Sequence, residues 1–272
     1  MSFDVYSKIC EIFYKGKNPE YLFAHAFLTI EWNLMARSDN CVNMHINHVQ
    51  WHEDAMLFFF GKSKGNQGGD RADKPWHVYS NPQMPFLCPV LAMAKYTLTH
   101  PDLFHDSCPL FPGLSQYSRF VKFFHKLLND NAEVFERMGV KKGDIGSHSV
   151  RKGSITLVSS GCTVSPPMSF ICLRACWSMG PVKDTYIHYE KAGDQFVGRS
   201  VTGISSLSKQ FAVSPAYFDS SGSEEGTMKK IDDIIYVFLS GKRDEVLGPV
   251  FLLVRFMFAS ICFHYNHLFL FE

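Results

Sequence analysis

The sequence predicts an α+β fold, mainly helical, with one small antiparallel three-stranded sheet. Three observations carry that expectation: apolar residues recur at three- and four-residue spacing over much of the chain, strand-like runs cluster within residues 44–79, and Gly and Pro punctuate the rest. With 272 residues, 46% of them hydrophobic, the chain is long enough to bury a full core.

The elements follow in order. Leu22, Phe23, Ala26, Phe27, Ile30 and Leu34 predict an amphipathic helix over residues 20–36, with Arg37 at its end. Residues 44–51 and 55–60 read as strands joined at 52–54, and the Gly-rich loop 61–69 leads to a third strand at 76–79. After a breaker-rich joint at 85–89, helical patterning returns at 90–98 and 118–128, around a turn at 109–113. Ile145, Gly146 and Ser147 open a helix that Gly161 should stop. A further short helix ends near Trp177, and Gly180-Pro181 breaks the pattern before a helix carrying Tyr186.

Residues 219–226 are polar and core-poor, a linker by composition. They divide the chain into a domain at 1–218 and a helical tail at 227–272. A membrane span needs about 20 apolar residues without a central charge, and Arg255 interrupts the apolar run here. A buried helix, or one awaiting a partner, is expected in its place. The uncovered apolar end reads as a truncation.

The net charge is only +1, but it is unevenly spread: residues 1–218 hold 22 Lys and Arg against 18 Asp and Glu, and the tail is net acidic. The basic excess therefore lies with the larger domain. Eight cysteines without a CxxC pair, and no secretory signal at the start, point to a reduced intracellular protein. The best metal cluster, His45, His48 and His52, lacks ligands to complete a tetrahedron, so neither metal nor any other cofactor is expected.

The residues with most chemical promise are His148 and Arg151, whose three-residue spacing puts both on one helix face where they can touch one phosphate. Trp177 lies nine residues before Tyr186, across the Gly-Pro break, so a ring N–H and a phenol can face one site. Tyr189, one turn later, is the rival phenol. Arg37 reads equally as a salt-bridging cap and Lys64 as a solvated turn lysine. Lys141, Lys142 and Lys152 are either phosphate contacts or solvated surface.

Taken together, the order Arg37, Lys64, His148-x-x-Arg151, Trp177, Tyr186 resembles that of the tyrosine recombinases, the phage-integrase-like family. The text at residues 33–40 and 60–67 is similar to the recombinases of eukaryotic Crypton-type mobile elements. The resemblance covers about residues 4–200 and implies the recombinase catalytic fold. It also implies DNA cleavage and rejoining through a covalent 3′-phosphotyrosine at Tyr186. Arg37 and Arg151 would clamp the phosphate, His148 would accept or orient the phenol proton, Lys64 would protonate the leaving oxygen, and Trp177 would support the site. Implied partners are double-stranded DNA and further copies of the chain in a synaptic complex, with no membrane. The implied location is nuclear if the source is eukaryotic, and otherwise intracellular.

Two departures from the family pattern matter. Asn40, beside Asp39, stands where the family carries an acid three positions after its first arginine. Only a few residues precede the catalytic fold, where family members carry an N-terminal helical clamp domain. The alternative is therefore a recombinase-derived DNA-binding or interaction module that does not cut. A type IB topoisomerase shares the chemistry, but the residues around Arg37 and Lys64 favour a recombinase.

Overall fold

A computed structural model of the chain describes residues 1–60, 74–104, 108–141, 143–181, 186–219, 226–239 and 247–269. It is α+β and mainly helical. Its sheet is antiparallel, formed by Val49–His52 (β1), Ala55–Phe58 (β2) and Trp76–Tyr79 (β3) in that spatial order. Val49 pairs with Phe58, and His52 with Ala55 around the tight turn; Phe58 pairs with Trp76, and Ala55 with Tyr79.

The first helix, Phe3–Lys15 (α1), was not singled out by the sequence reading. Its buried residues Val5, Tyr6, Ile9, Cys10, Phe13 and Tyr14 nonetheless keep helical spacing. The Ser2 hydroxyl accepts the Val5 N–H and caps it. Next comes Pro19–Leu34 (α2), where the expectation of an amphipathic helix is corrected: every residue from Phe23 to Leu34 is buried. The helix runs through the middle of the molecule, packed by α1, the sheet and four later helices, and has no solvent face to keep polar. Its polar side chains are bonded inside. His25 Nε2 donates to the Phe86 carbonyl at 2.7 Å, Thr29 to the His25 carbonyl at 2.9 Å, and Trp32 Nε1 to the Val201 carbonyl at 3.1 Å.

After a short helix at Ser38–Val42 (α3), the strand expected to start at residue 44 instead begins at Val49, because Ile46–His48 coil into a 3-10 turn. The His45 N–H donating to His48 Nδ1 (3.3 Å) closes that turn. The later helices are Pro89–Leu98 (α4), Gln116–Asp130 (α5), Ala132–Arg137 (α6), Ser147–Ser160 (α7), Met168–Arg174 (α8) and Lys191–Ser200 (α9). Gly198 lets α9 lie flush on β3, since a Cβ there would strike the His77 carbonyl.

Beyond the linker stand Thr227–Phe238 (α10), Leu247–Phe263 (α11) and Tyr265–Phe269 (α12). α11 packs on α4 and β1, with the Phe256 ring stacked on Trp51 at 4.0 Å and Leu253 and Met257 sunk into the main core. Arg255, the charge within this apolar run, reaches Asp232 of α10 at 3.6 Å. No helix among the described residues is long and apolar enough to cross a membrane.

Candidate functional site

The first arm of the site forms where α2 ends. Met35 adopts a left-handed conformation (φ 52°, ψ 30°), and its N–H closes on the last turn of α2. The chain folds back there: the Ala36 N–H donates to the Glu31 carbonyl at 3.1 Å, and Ser38 Oγ donates to Glu31 Oε1 at 2.7 Å. Arg37, held between these bonds, heads α3 with extended backbone and a half-exposed side chain.

The second arm is α7. Its first residue, Ser147, bonds the Tyr117 hydroxyl of α5 at 2.9 Å, and the Gly146 N–H donates to Ser149 Oγ at 3.2 Å. Further along, Gly153 allows α7 to press on Trp32 of α2; a Cβ there would lie 2.9 Å from the ring. That contact fixes which face of α7 turns outward, and His148, Arg151, Lys152 and Thr156 lie along it.

The third arm follows α8, where Cys176 is left-handed (φ 51°) and the Trp177 N–H donates back to the Cys172 carbonyl at 2.9 Å. Trp177 is thereby brought against α7, its ring 5.9 Å from the Arg151 guanidinium carbon. Arg151 Nη2 also donates to the Ala175 carbonyl, which pins its fork. Burial lowers the Arg151 pKa, and the like charge of Arg37 lowers it further, while Cys176 and Glu31 oppose them. The two guanidinium groups thus feel each other, and both remain charged at any working pH.

These arms enclose one open cleft of about 570 Å³, lined among the described residues by Arg37, His148, Arg151, Lys152, Ile155, Thr156 and Trp177. No carboxylate is among them, so the cleft presents positive charge and hydrogen-bond donors to whatever enters it. Four of the six expected site residues therefore converge. Lys64 lies outside the described residues. Tyr186 is 79% exposed and is not among the described lining residues. Its rival Tyr189 is half-buried, with its hydroxyl donating to the Pro75 carbonyl at 2.8 Å. Lys152 joins the cleft, and Lys141 lines a separate groove beside α5 and α6. Lys142 lies outside the described residues.

Three residues near the site went unread in the sequence. Glu31, 1% exposed, lies within reach of the Arg151 charge. Arg174 and Asp194 form a buried pair at 2.6 Å beneath the sheet. Glu31 left a signal, a single acid at a core-facing position between Ile30 and Trp32. Among the described residues, no group of three His, Cys, Asp or Glu is placed to hold a metal ion. Comparison with protein-family models, with curated proteins and with solved structures returns no match.

Proposed function

We propose that this chain is a DNA strand transferase of the tyrosine recombinase kind, cutting and rejoining double-stranded DNA through a phosphotyrosine on Tyr186. The observation that carries the reading is the convergence of Arg37, His148, Arg151 and Trp177, from three distant stretches of sequence, on one cleft lined by no carboxylate among the described residues.

Attack by a phenol on a phosphodiester builds charge on the phosphate oxygens, and fixed cations aimed at those oxygens stabilise the transition state. Arg37 and Arg151 supply them, each with a planar fork matched to phosphate. A phenol with a pKa near 10 needs help to lose its proton, and His148 accepts or orients it. Trp177 donates its indole N–H and covers Arg151. Lys64 protonates the departing 5′ oxygen. The covalent 3′ intermediate keeps the bond energy, so a second 5′ hydroxyl can reverse the step without nucleotide or metal. Copies of the chain assemble on the DNA, in the nucleus if the source is eukaryotic and otherwise within the cell.

The tether on Tyr189 supports Tyr186 as the nucleophile, because Tyr189 already spends its hydroxyl on Pro75. The test is a nicked suicide duplex, which traps a covalent adduct on the wild-type chain. Tyr186→Phe should abolish the adduct and Tyr189→Phe should retain it. No adduct from the wild type would sink the reading.

The exposure of Tyr186 favours a second reading, a DNA-binding module that no longer cuts. It predicts salt-dependent binding that Tyr186→Phe leaves unchanged, with no adduct formed.

A further inference from the structure

Glu31 combines features that a purely structural acid does not need. It is a carboxyl in the last turn of the central helix, 1% exposed, facing the two segments that carry the arginines. One oxygen, Oε1, accepts the Ser38 hydroxyl and so ties down the turn holding Arg37. The other, Oε2, is buried with no hydrogen-bond partner among the described residues. Arg151 lies close enough for its charge to act on the carboxyl.

We propose that Glu31 is the positioning residue of the arginine pair: it holds the Arg37 turn through Ser38, and its charge sets how firmly Arg37 and Arg151 take a phosphate. The inference rests on the phosphate-binding reading of the cleft. Its physical basis is the opposition of two states. Neutral Glu31 keeps the Ser38 bond and leaves the field of both guanidinium groups unopposed. Ionised Glu31 cancels part of that field from behind and weakens their hold on an anion.

Burial pushes the Glu31 carboxyl up to about 8, with Ser38 and Arg151 pulling the other way. Among the described residues, the groups that act on it from the elements packed on α2 are Ser38 and Cys41 of α3 and Arg151 of α7, and Arg151 in turn feels Arg37 at the head of α3. The arginines keep their charge, and burial first, then Glu31, push the Cys41 thiol well up. Of the groups that act on it, Glu31 is therefore the one whose charge changes near neutral pH, while His148, which lines the cleft itself, is common to wild type and Glu31→Gln. Because an arriving phosphate favours the neutral form, binding should draw a proton onto the carboxyl.

The test is binding of a short duplex DNA by the whole chain, at fixed salt, from about pH 7 to about pH 9. Wild type is compared with Glu31→Gln, which keeps an oxygen for Ser38, and with Arg151→Ala. Wild-type affinity should fall by about two- to threefold over that range, the effect of moving a pKa by about half a unit. Glu31→Gln should hold its neutral-pH affinity throughout. A Gln variant that follows the wild-type pH curve overturns the role of Glu31. If Arg151→Ala binds as tightly as wild type, the phosphate reading of the cleft fails instead. Should the Gln variant not fold, calorimetry of the wild type near about pH 8.5, in two buffers of different ionisation heat, decides the matter. Proton uptake on binding is expected, and its absence overturns the inference.

Discussion

The guanidinium of Arg174 is wholly buried, and its bonds join three different parts of the chain. Nη1 donates to Asp194 Oδ1 at 2.6 Å, and Nη2 to the carbonyls of Asn33 and His77 at 2.8 and 2.9 Å. Asp194 in turn accepts the backbone N–H of His77 and faces its ring. Nothing in the sequence marks this group, because its members are far apart and chain spacing says nothing about such pairs. The cleft residues differ: His148 and Arg151 share a helix face and Trp177 stands nine residues before Tyr186, so short-range pattern exposed them. His25 makes a prediction at this scale. Burial, followed by the Lys95 charge, lowers its pKa to about 3, so the folded state holds it neutral. Its contribution to stability is complete above the ordinary value of 6.5 and is lost as pH falls toward the folded value. Denaturant unfolding should record a loss of about 2 kcal/mol between about pH 6.5 and about pH 5. His25→Gln, which can still donate to Phe86, should flatten that slope.

At the scale of elements, periodicity located α4 and α5, and start and stop residues located α7, to within a few residues, but periodicity misjudged the surroundings of α2. A helix buried on every side needs internal partners for its polar groups, and those partners, the carbonyls of Phe86 and Val201, lie 61 and 169 residues away. The same limit applies to the strand that starts late, since residues 44–46 bond instead to a distant stretch, with the Ile46 N–H donating to the Cys108 carbonyl and the Leu110 N–H to the Met44 carbonyl. α7 shows how a small residue sets a site. Gly153→Ala would push a methyl group into the Trp32 ring and the Met1 carbonyl. Overpacking of that kind costs about 1–3 kcal/mol. The shift passes along the helix to His148 and Arg151. Thermal unfolding should register the first effect and, on the function proposed for the cleft, a weakened salt-dependent affinity for DNA the second. Unchanged affinity in a destabilised variant would mean that α7 can move without disturbing the cleft.

For the whole molecule, composition drew a boundary at the polar linker, whereas packing crosses it. α11 covers α4 and β1, and its Leu253 and Met257 belong to the same core as α1 and α2. A linker is legible from its own residues; what lies beyond it is legible only from the surface it covers. Phe256→Ala removes the ring stacked on Trp51 and should cost about 3 kcal/mol, the usual scale for deleting a packed aromatic. Denaturant titration followed by both tryptophan fluorescence and circular dichroism would measure it. A single shared transition is expected if α11 unfolds with the rest. A separate early transition confined to Trp51 fluorescence would instead make the C-terminal helices an independent unit.

The Trp32 to Val201 bond also has a consequence in time. Trp32 is the floor against which α7 is set, yet its indole partner is 169 residues further along, and Arg174 joins Asn33 across 141. A ribosome adding roughly 5–20 residues per second takes on the order of ten to thirty seconds to cross the longer interval. During that interval Arg37 has been made while the framework that aims it has not. The cleft therefore waits on Val201, and until that residue is made a nascent chain carries Arg37 without the framework that later brings Arg151 beside it.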